Sequence, residues 1–143
     1  AFLFGGLYDF AGRIREKSIS KSGYQFVYAQ HLKNTLQRID ELPQKTLDEI
    51  VEKYAAMNKA HPFMEGNGRS TRIWLDLMLK KQLRKCVEWS KIKKENYMNA
   101  MIISTVDSSV LLQLITTALT TKINDREMYM KGIDYSYYYE ENN

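Results

Sequence analysis

The stretch HPFMEGNGRSTR, residues 61–72, holds one histidine, one acid, two glycines flanking an asparagine, and two arginines within twelve positions. Pro62 pushes the residue before it out of helical geometry, so a helix arriving from upstream must end near Ala60 or His61. Such a helix is written into the preceding residues. Thr46 is placed to cap it, Glu49 three residues on completes a capping box, and Leu47, Ile50, Val51, Tyr54 and Met57 recur at helical spacing. Beyond the glycines, Ser70 to about Leu83 carries Ile73, Trp74, Leu77 and Met78 and ends in Lys80, Lys81, Arg84 and Lys85, cations that suit a helix C-terminus. The twelve residues therefore read as a short loop held between two long helices.

Working outward, residues from about Ala29 to Leu42 place Leu32, Leu36 and Ile39 on one helical face, and Pro43 follows as a stop. Upstream, residues 13–28 read as two short extended segments around Lys21-Ser22-Gly23, with Tyr24, Phe26 and Tyr28 alternating. Helices are expected at about 90–104 and 108–121, and a last one from Asn124 or Asp125 toward Glu140, with Gly132 as a place to bend. The expected architecture is mostly α, a helical bundle with one short β-hairpin. With 143 residues, 44% of them hydrophobic, the whole of 1–143 fits one globular domain with a real core.

The formal charge of +4 comes from interleaved acids and bases, so no basic arm for direct nucleic-acid binding stands out, and the balance suits an anionic small ligand. The single cysteine, Cys86, excludes an internal disulfide and makes a reducing, cytoplasmic setting the simpler expectation; it reads as a half-buried thiol in a turn. No apolar run is long enough to span a membrane. Ala1 opens partway into the apolar stretch AFLFGGLYDFAG, the pattern of a chain with residues upstream. His31 reads as a surface or core-edge residue, and Trp74 and Trp89 as core.

The chemistry of the loop follows from its residue types. Glycines let successive backbone N–H groups converge at the start of the following helix, where the dipole also favours an anion. Arg69 and Arg72, three apart, project from one helical face, and two guanidiniums beside such a nest fit a polyphosphate. Glu65 amid that positive charge makes sense with Mg²⁺ between it and the phosphates. His61 is the natural general base near neutral pH. The ending lacks the Gly-Lys-Ser/Thr of a Walker loop.

At every defined position, the stretch is similar to the Fic-domain signature His-Pro-Phe-x-(Asp/Glu)-Gly-Asn-Gly-Arg-x-x-Arg. The chain as a whole resembles the small bacterial stand-alone Fic proteins with a C-terminal inhibitory helix (class III). That resemblance implies a Fic fold and transfer of AMP from ATP to a Ser, Thr or Tyr hydroxyl of a target protein, with pyrophosphate leaving. It implies that in the catalytic loop, about 61–69, His61 deprotonates the target hydroxyl and Glu65 holds Mg²⁺ at the α- and β-phosphates. Asn67 and the backbone of Gly66 and Gly68 would cradle the phosphates, Arg69 the β/γ end, and Arg72 the γ-phosphate; Phe63 would pack the loop onto the core. Doc-type kinases of the same family have lysine where Gly68 stands, so Gly68 favours nucleotidyl over phosphoryl transfer. A catalytically silent Fic-fold module is the third reading.

The resemblance also assigns the hairpin at about 19–28 as the flap, with Lys21, Ser22, Gly23, Tyr24, Gln25 and Phe26 pairing with an extended target segment. In the tail KGIDYSYYYEENN, Ser136 and Glu140 have the Ser/Thr-x-x-x-Glu spacing of the family's inhibitory helix, here about 133–141. Four residues is about one helical turn, so both face one way. Glu140 would pair with Arg72 and exclude the γ-phosphate. Glu141 replaces the usual Gly or Asn after that glutamate. Tyr137 is a candidate for self-modification, and oligomerisation or a partner are the other routes to release. A bacterial type II topoisomerase subunit is the target that the resemblance suggests.

Overall fold

The computed structural model describes residues 14–21, 24–63 and 67–124, with the side chains of Lys21 and Tyr24 excepted. Strands β1 (Ser20–Lys21) and β2 (Tyr24–Gln25) form an antiparallel hairpin with Ser20 opposite Gln25 and Lys21 opposite Tyr24. Helices α1 (Ala29–Glu41), α2 (Leu47–Ala60) and α3 (Asn67–Leu83) follow. Strand β3 (Cys86–Val87), a 3₁₀ turn at Trp89–Lys91, helices α4 (Lys94–Ile103) and α5 (Ser109–Thr117), and strand β4 (Leu119–Thr120) complete the described chain. The mostly α bundle with a short hairpin is as the sequence leads one to expect.

Helix α2 is the centre of the bundle. It packs against α1, α3 and α5, and buries Ile50, Val51, Tyr54 and Met57 among them. Its start is the expected capping box: Thr46 Oγ1 accepts from the Glu49 N–H at 3.2 Å, and Glu49 Oε1 accepts from the Thr46 N–H at 3.1 Å. Leu32, Leu36 and Ile39 of α1 and Trp74, Leu75, Met78 and Leu79 of α3 close over it. The C-terminus of α1 is tied by a residue from α2: Lys53 Nζ donates to the carbonyls of Asp40 and Leu42 and to Gln44 Oε1. Burial lowers the pKa of that ammonium, and Asp40 partly offsets the effect.

Four expectations need correction. Helix α3 begins at Asn67, three residues before Ser70, because the Asn67 side chain bonds the Phe63 backbone and holds the first turn in place. Gly68 is helical in spite of a cost of about 1 kcal/mol relative to alanine. The helices expected at 90–104 and 108–121 are shorter, Lys94–Ile103 and Ser109–Thr117. Residues trimmed from them supply part of the 3₁₀ turn and strand β4, which forms a second ladder with β3, pairing Cys86 with Thr120 and Val87 with Leu119. Cys86 thus lies in a strand, buried, and its Sγ donates to the Lys122 carbonyl at 3.1 Å. The last helix, expected from 124 or 125 onward, and the tail with it lie outside the described residues.

Candidate active site

His61 stands at the end of α2. His61 caps the helix in the left-handed region, φ 50° and ψ 65°, with its N–H on the Met57 carbonyl at 2.9 Å. A non-glycine residue there costs on the order of 1–2 kcal/mol, so surrounding contacts must hold it. They come from upstream. Arg15, buried, donates from Nε to the His61 carbonyl at 2.7 Å and from Nη2 to the Ala60 carbonyl at 3.0 Å. The same guanidinium reaches the Val27 carbonyl through Nη2 and the Lys17 carbonyl through Nη1. The Arg15 N–H donates to the Pro62 carbonyl at 2.8 Å, and Val27 N–H reaches the Lys59 carbonyl at 3.4 Å.

The imidazole of His61 lies flat against Phe26, with centroids 3.9 Å apart and planes 11° from parallel. Its Nδ1 is buried. Phe26 was expected only as part of a docking flap. In the folded chain its ring covers one face of the His61 imidazole. Phe26 N–H continues the hairpin pairing to the Ile19 carbonyl, and Gln25 Nε2 bridges the carbonyls of Ile19 and Phe26. Of the other flap residues, Ser22 and Gly23 lie outside the described residues; Lys21 and Tyr24 contribute backbone pairing.

On the far side of the loop, Phe63 is fully buried, as expected of its packing role. Asn67 Oδ1 accepts from the Phe63 N–H at 2.8 Å and its Nδ2 donates to the Phe63 carbonyl at 2.5 Å. The asparagine therefore closes the loop as a backbone clamp. Thr71 Oγ1 donates to the Asn67 carbonyl at 2.6 Å and also lies 3.2 Å from that of Gly68, stiffening the same turn. Glu65 and Gly66 lie outside the described residues. Among the described residues no group of three or more His, Cys, Asp or Glu converges on a common point. A Mg²⁺ held by one carboxylate, substrate phosphates and water needs no such cluster, so the residue set is compatible with it.

The two arginines of the loop are not equivalent. Arg69 is half-buried, whereas Arg72 is 1% exposed and lies over the ring of Tyr97, its guanidinium carbon 5.8 Å from the centroid. Tyr97, from α4, shares a 2.6 Å hydrogen bond with Tyr54 of α2, so two helices outside the loop fix the platform under Arg72. Asp76, one turn further along α3, accepts from the Val87 N–H at 2.8 Å and from Trp89 Nε1 at 3.0 Å. Neither Tyr97 nor Asp76 carries a signal in the sequence beyond helical spacing.

Burial, with Tyr97 adding to it, raises the Tyr54 hydroxyl well above its ordinary pKa, while Arg72 pulls the other way. A raised folded-state pKa favours the neutral phenol in the fold. Its stabilising contribution is complete below the unfolded value of about 10 and is lost as pH climbs toward the folded value. Urea midpoints measured from pH 8 to 11 should stay level to about pH 10 and then fall, and Tyr54→Phe should flatten that alkaline fall. An equally steep fall in the variant would assign it to other groups.

Comparison with known proteins agrees with the loop and the fold. Residues 1–79 match the Fic/DOC family. The chain belongs to the Fic/DOC family. It is 27% identical over 147 residues to the protein adenylyltransferase VbhT of Bartonella schoenbuchensis, an alignment covering 92% of this chain and 30% of that protein. The chain thus spans less than a third of that relative's length. Solved structures share the Fic fold. BepC of Bartonella tribocorum, a VirB-translocated effector solved with AMPPNP, superposes with a TM-score of 0.63 at 21% identity, covering 74% of this chain and 57% of that one. The N-terminal Fic domain of a Bartonella quintana Bep effector with bound ADP gives 0.63 at 19% identity, over 73% and 55%. Among the described residues, no helix of this Fic domain is long and apolar enough to cross a membrane.

Proposed function

We propose that this Fic domain is a protein adenylyltransferase that moves AMP from ATP to a Ser, Thr or Tyr hydroxyl of a target protein. The observation that carries the reading is His61, the base position of the family loop, clamped by Arg15 and faced by Phe26 of the hairpin. The adenylyltransferase relative and the nucleotide-bound Fic folds support the same chemistry. Nε2 of His61 takes the proton of the target hydroxyl, and that oxygen attacks the α-phosphorus of ATP. The bond from the α-phosphorus to the bridging oxygen breaks, and pyrophosphate leaves. The converging N–H groups at the start of α3 and Arg69 carry the developing charge. Arg72, oriented by Tyr97, fixes the γ end. Glu65 would hold Mg²⁺, which when bound neutralises the phosphates.

The hairpin supplies the docking edge. An extended target segment adds by backbone pairing beside Tyr24 and Gln25, which asks little of the target's sequence. Ser136 and Glu140 form the inhibitory pair of the tail, Glu140 withdrawing Arg72 from the γ-phosphate until the tail is released. A bacterial type II topoisomerase subunit is the first target to assay.

ATP labelled separately at the α- and γ-phosphates tests the reading. Label on protein from the α position alone is the expected outcome, at a rate at least tenfold higher in Glu140→Gly. Label from γ alone would overturn it in favour of a Doc-like kinase. No label from either, in the wild type and in Glu140→Gly, would assign a silent binding module.

A further inference from the structure

We infer that Arg15 is a positioning residue for His61, a single buried guanidinium that locks the backbone of the proposed base to the root of the hairpin. The end of α2 leaves carbonyls that the helix itself cannot pair. The carbonyls of Met57, Lys59 and Ala60 are taken by His61 N–H, Val27 N–H and Arg15 Nη2. Two of these three partners come from the segment that carries the hairpin. Arg15 then spans the junction: Nε and Nη2 hold the His61 and Ala60 carbonyls, and the guanidinium also holds the Val27 carbonyl on the chain leaving β2. Its own N–H holds Pro62, so the carbonyls of residues 60, 61 and 62 all answer to one residue.

The consequence is geometric. Phe26 precedes Val27, and its ring lies on the imidazole 3.9 Å away. Anchoring Val27 and His61 to one planar cation sets the hairpin and the base at a fixed separation. A substrate hydroxyl delivered by the hairpin then meets the base in register, which is where a displacement of about 1 Å can cost about 10²-fold in rate. Lysine keeps the charge but offers its donors from a single atom, so it cannot span four carbonyls in a plane. This role for Arg15 rests on the proposed transfer only in its kinetic consequence.

The experiment compares wild type, Arg15→Lys and Phe26→Ala by NMR and by transfer of α-labelled phosphate. The chain has two histidines, His31 and His61, so His61→Asn assigns the imidazole signals. In wild type the His61 ring protons are expected upfield, shifted by the Phe26 ring. Arg15→Lys should lose most of that shift and speed amide exchange at His61 and Phe63 by at least tenfold, with Trp74 and Trp89 emission unchanged. Phe26→Ala should lose the shift but keep the amide protection. In the kinetic arm, Arg15→Lys should lower kcat by about 10²-fold with KM for ATP within about twofold. An unchanged His61 shift and unchanged amide exchange in Arg15→Lys would overturn the inference. Absence of transfer in wild type and in Glu140→Gly alike would remove the proposed activity while leaving the NMR comparison decisive. Should Arg15→Lys fail to fold, the wild-type Arg15 Nε–H decides: slow exchange with solvent supports the clamp, and exchange as fast as that of a surface arginine overturns it.

Discussion

His61→Asn is expected to lower AMP transfer by about 10²–10⁴-fold at saturating ATP, the usual contribution of a general base, while the fold remains in place. Asparagine suits this position better than alanine. His61 sits at φ 50°, a region asparagine visits at less cost than most residues, and its amide has no nitrogen that can accept the target's proton. The backbone contacts of His61 to Met57 and Arg15, and the bond from Arg15 to the Ala60 carbonyl, do not involve the imidazole and should persist. The check is a rate with α-labelled ATP beside a thermal melt, with the midpoint expected within about 3 °C of wild type. Transfer retained within tenfold would move the base to another residue.

Asp76→Ala should be strongly destabilising although it removes no apolar core side chain. The carboxylate is 1% exposed and accepts from two buried donors, Val87 N–H and Trp89 Nε1. Truncation strands both, at about 1–3 kcal/mol each, so a loss of about 3 kcal/mol is expected in urea unfolding. Asp76→Asn keeps one acceptor and should lose roughly half as much. The damage should spread toward the site, because β3 and the Trp89 turn lead into α4, whose Tyr97 underlies Arg72. A loss below about 1 kcal/mol would mean that neighbouring groups or water replace the carboxylate. An aspartate within the apolar run Ile73–Leu79 carries no mark in the sequence of its partners at Val87 and Trp89.

The resemblance draws attention to the loop at 61–72, yet it gives no hint of the residues that hold it. Arg15 lies 46 positions from His61 in sequence and reads locally as one basic residue among several in GRIREKS. Phe26 was grouped with target docking on its place in the hairpin, and only the folded chain lays it on the imidazole. Arg69 and Arg72 looked alike from their spacing. Burial separates them: Arg72 lies buried over Tyr97 of α4, and Arg69 is half open.

What the sequence determined by itself is what acts within a turn or two of chain: the Thr46–Glu49 capping box, the end of α2 before Pro62, the apolar faces of α1 to α3, and the composition of the loop at 61–72. These are settled by neighbouring dihedrals and short-range hydrogen bonds, so they can be read residue by residue. Only the tertiary structure decided the ladder of Cys86–Val87 with Leu119–Thr120, the Tyr54–Tyr97 platform and the clamp of Arg15. Each joins groups tens of residues apart. Their partners exist only once the core has brought these distant segments together, where buried carbonyls and N–H groups must find a partner or remain costly.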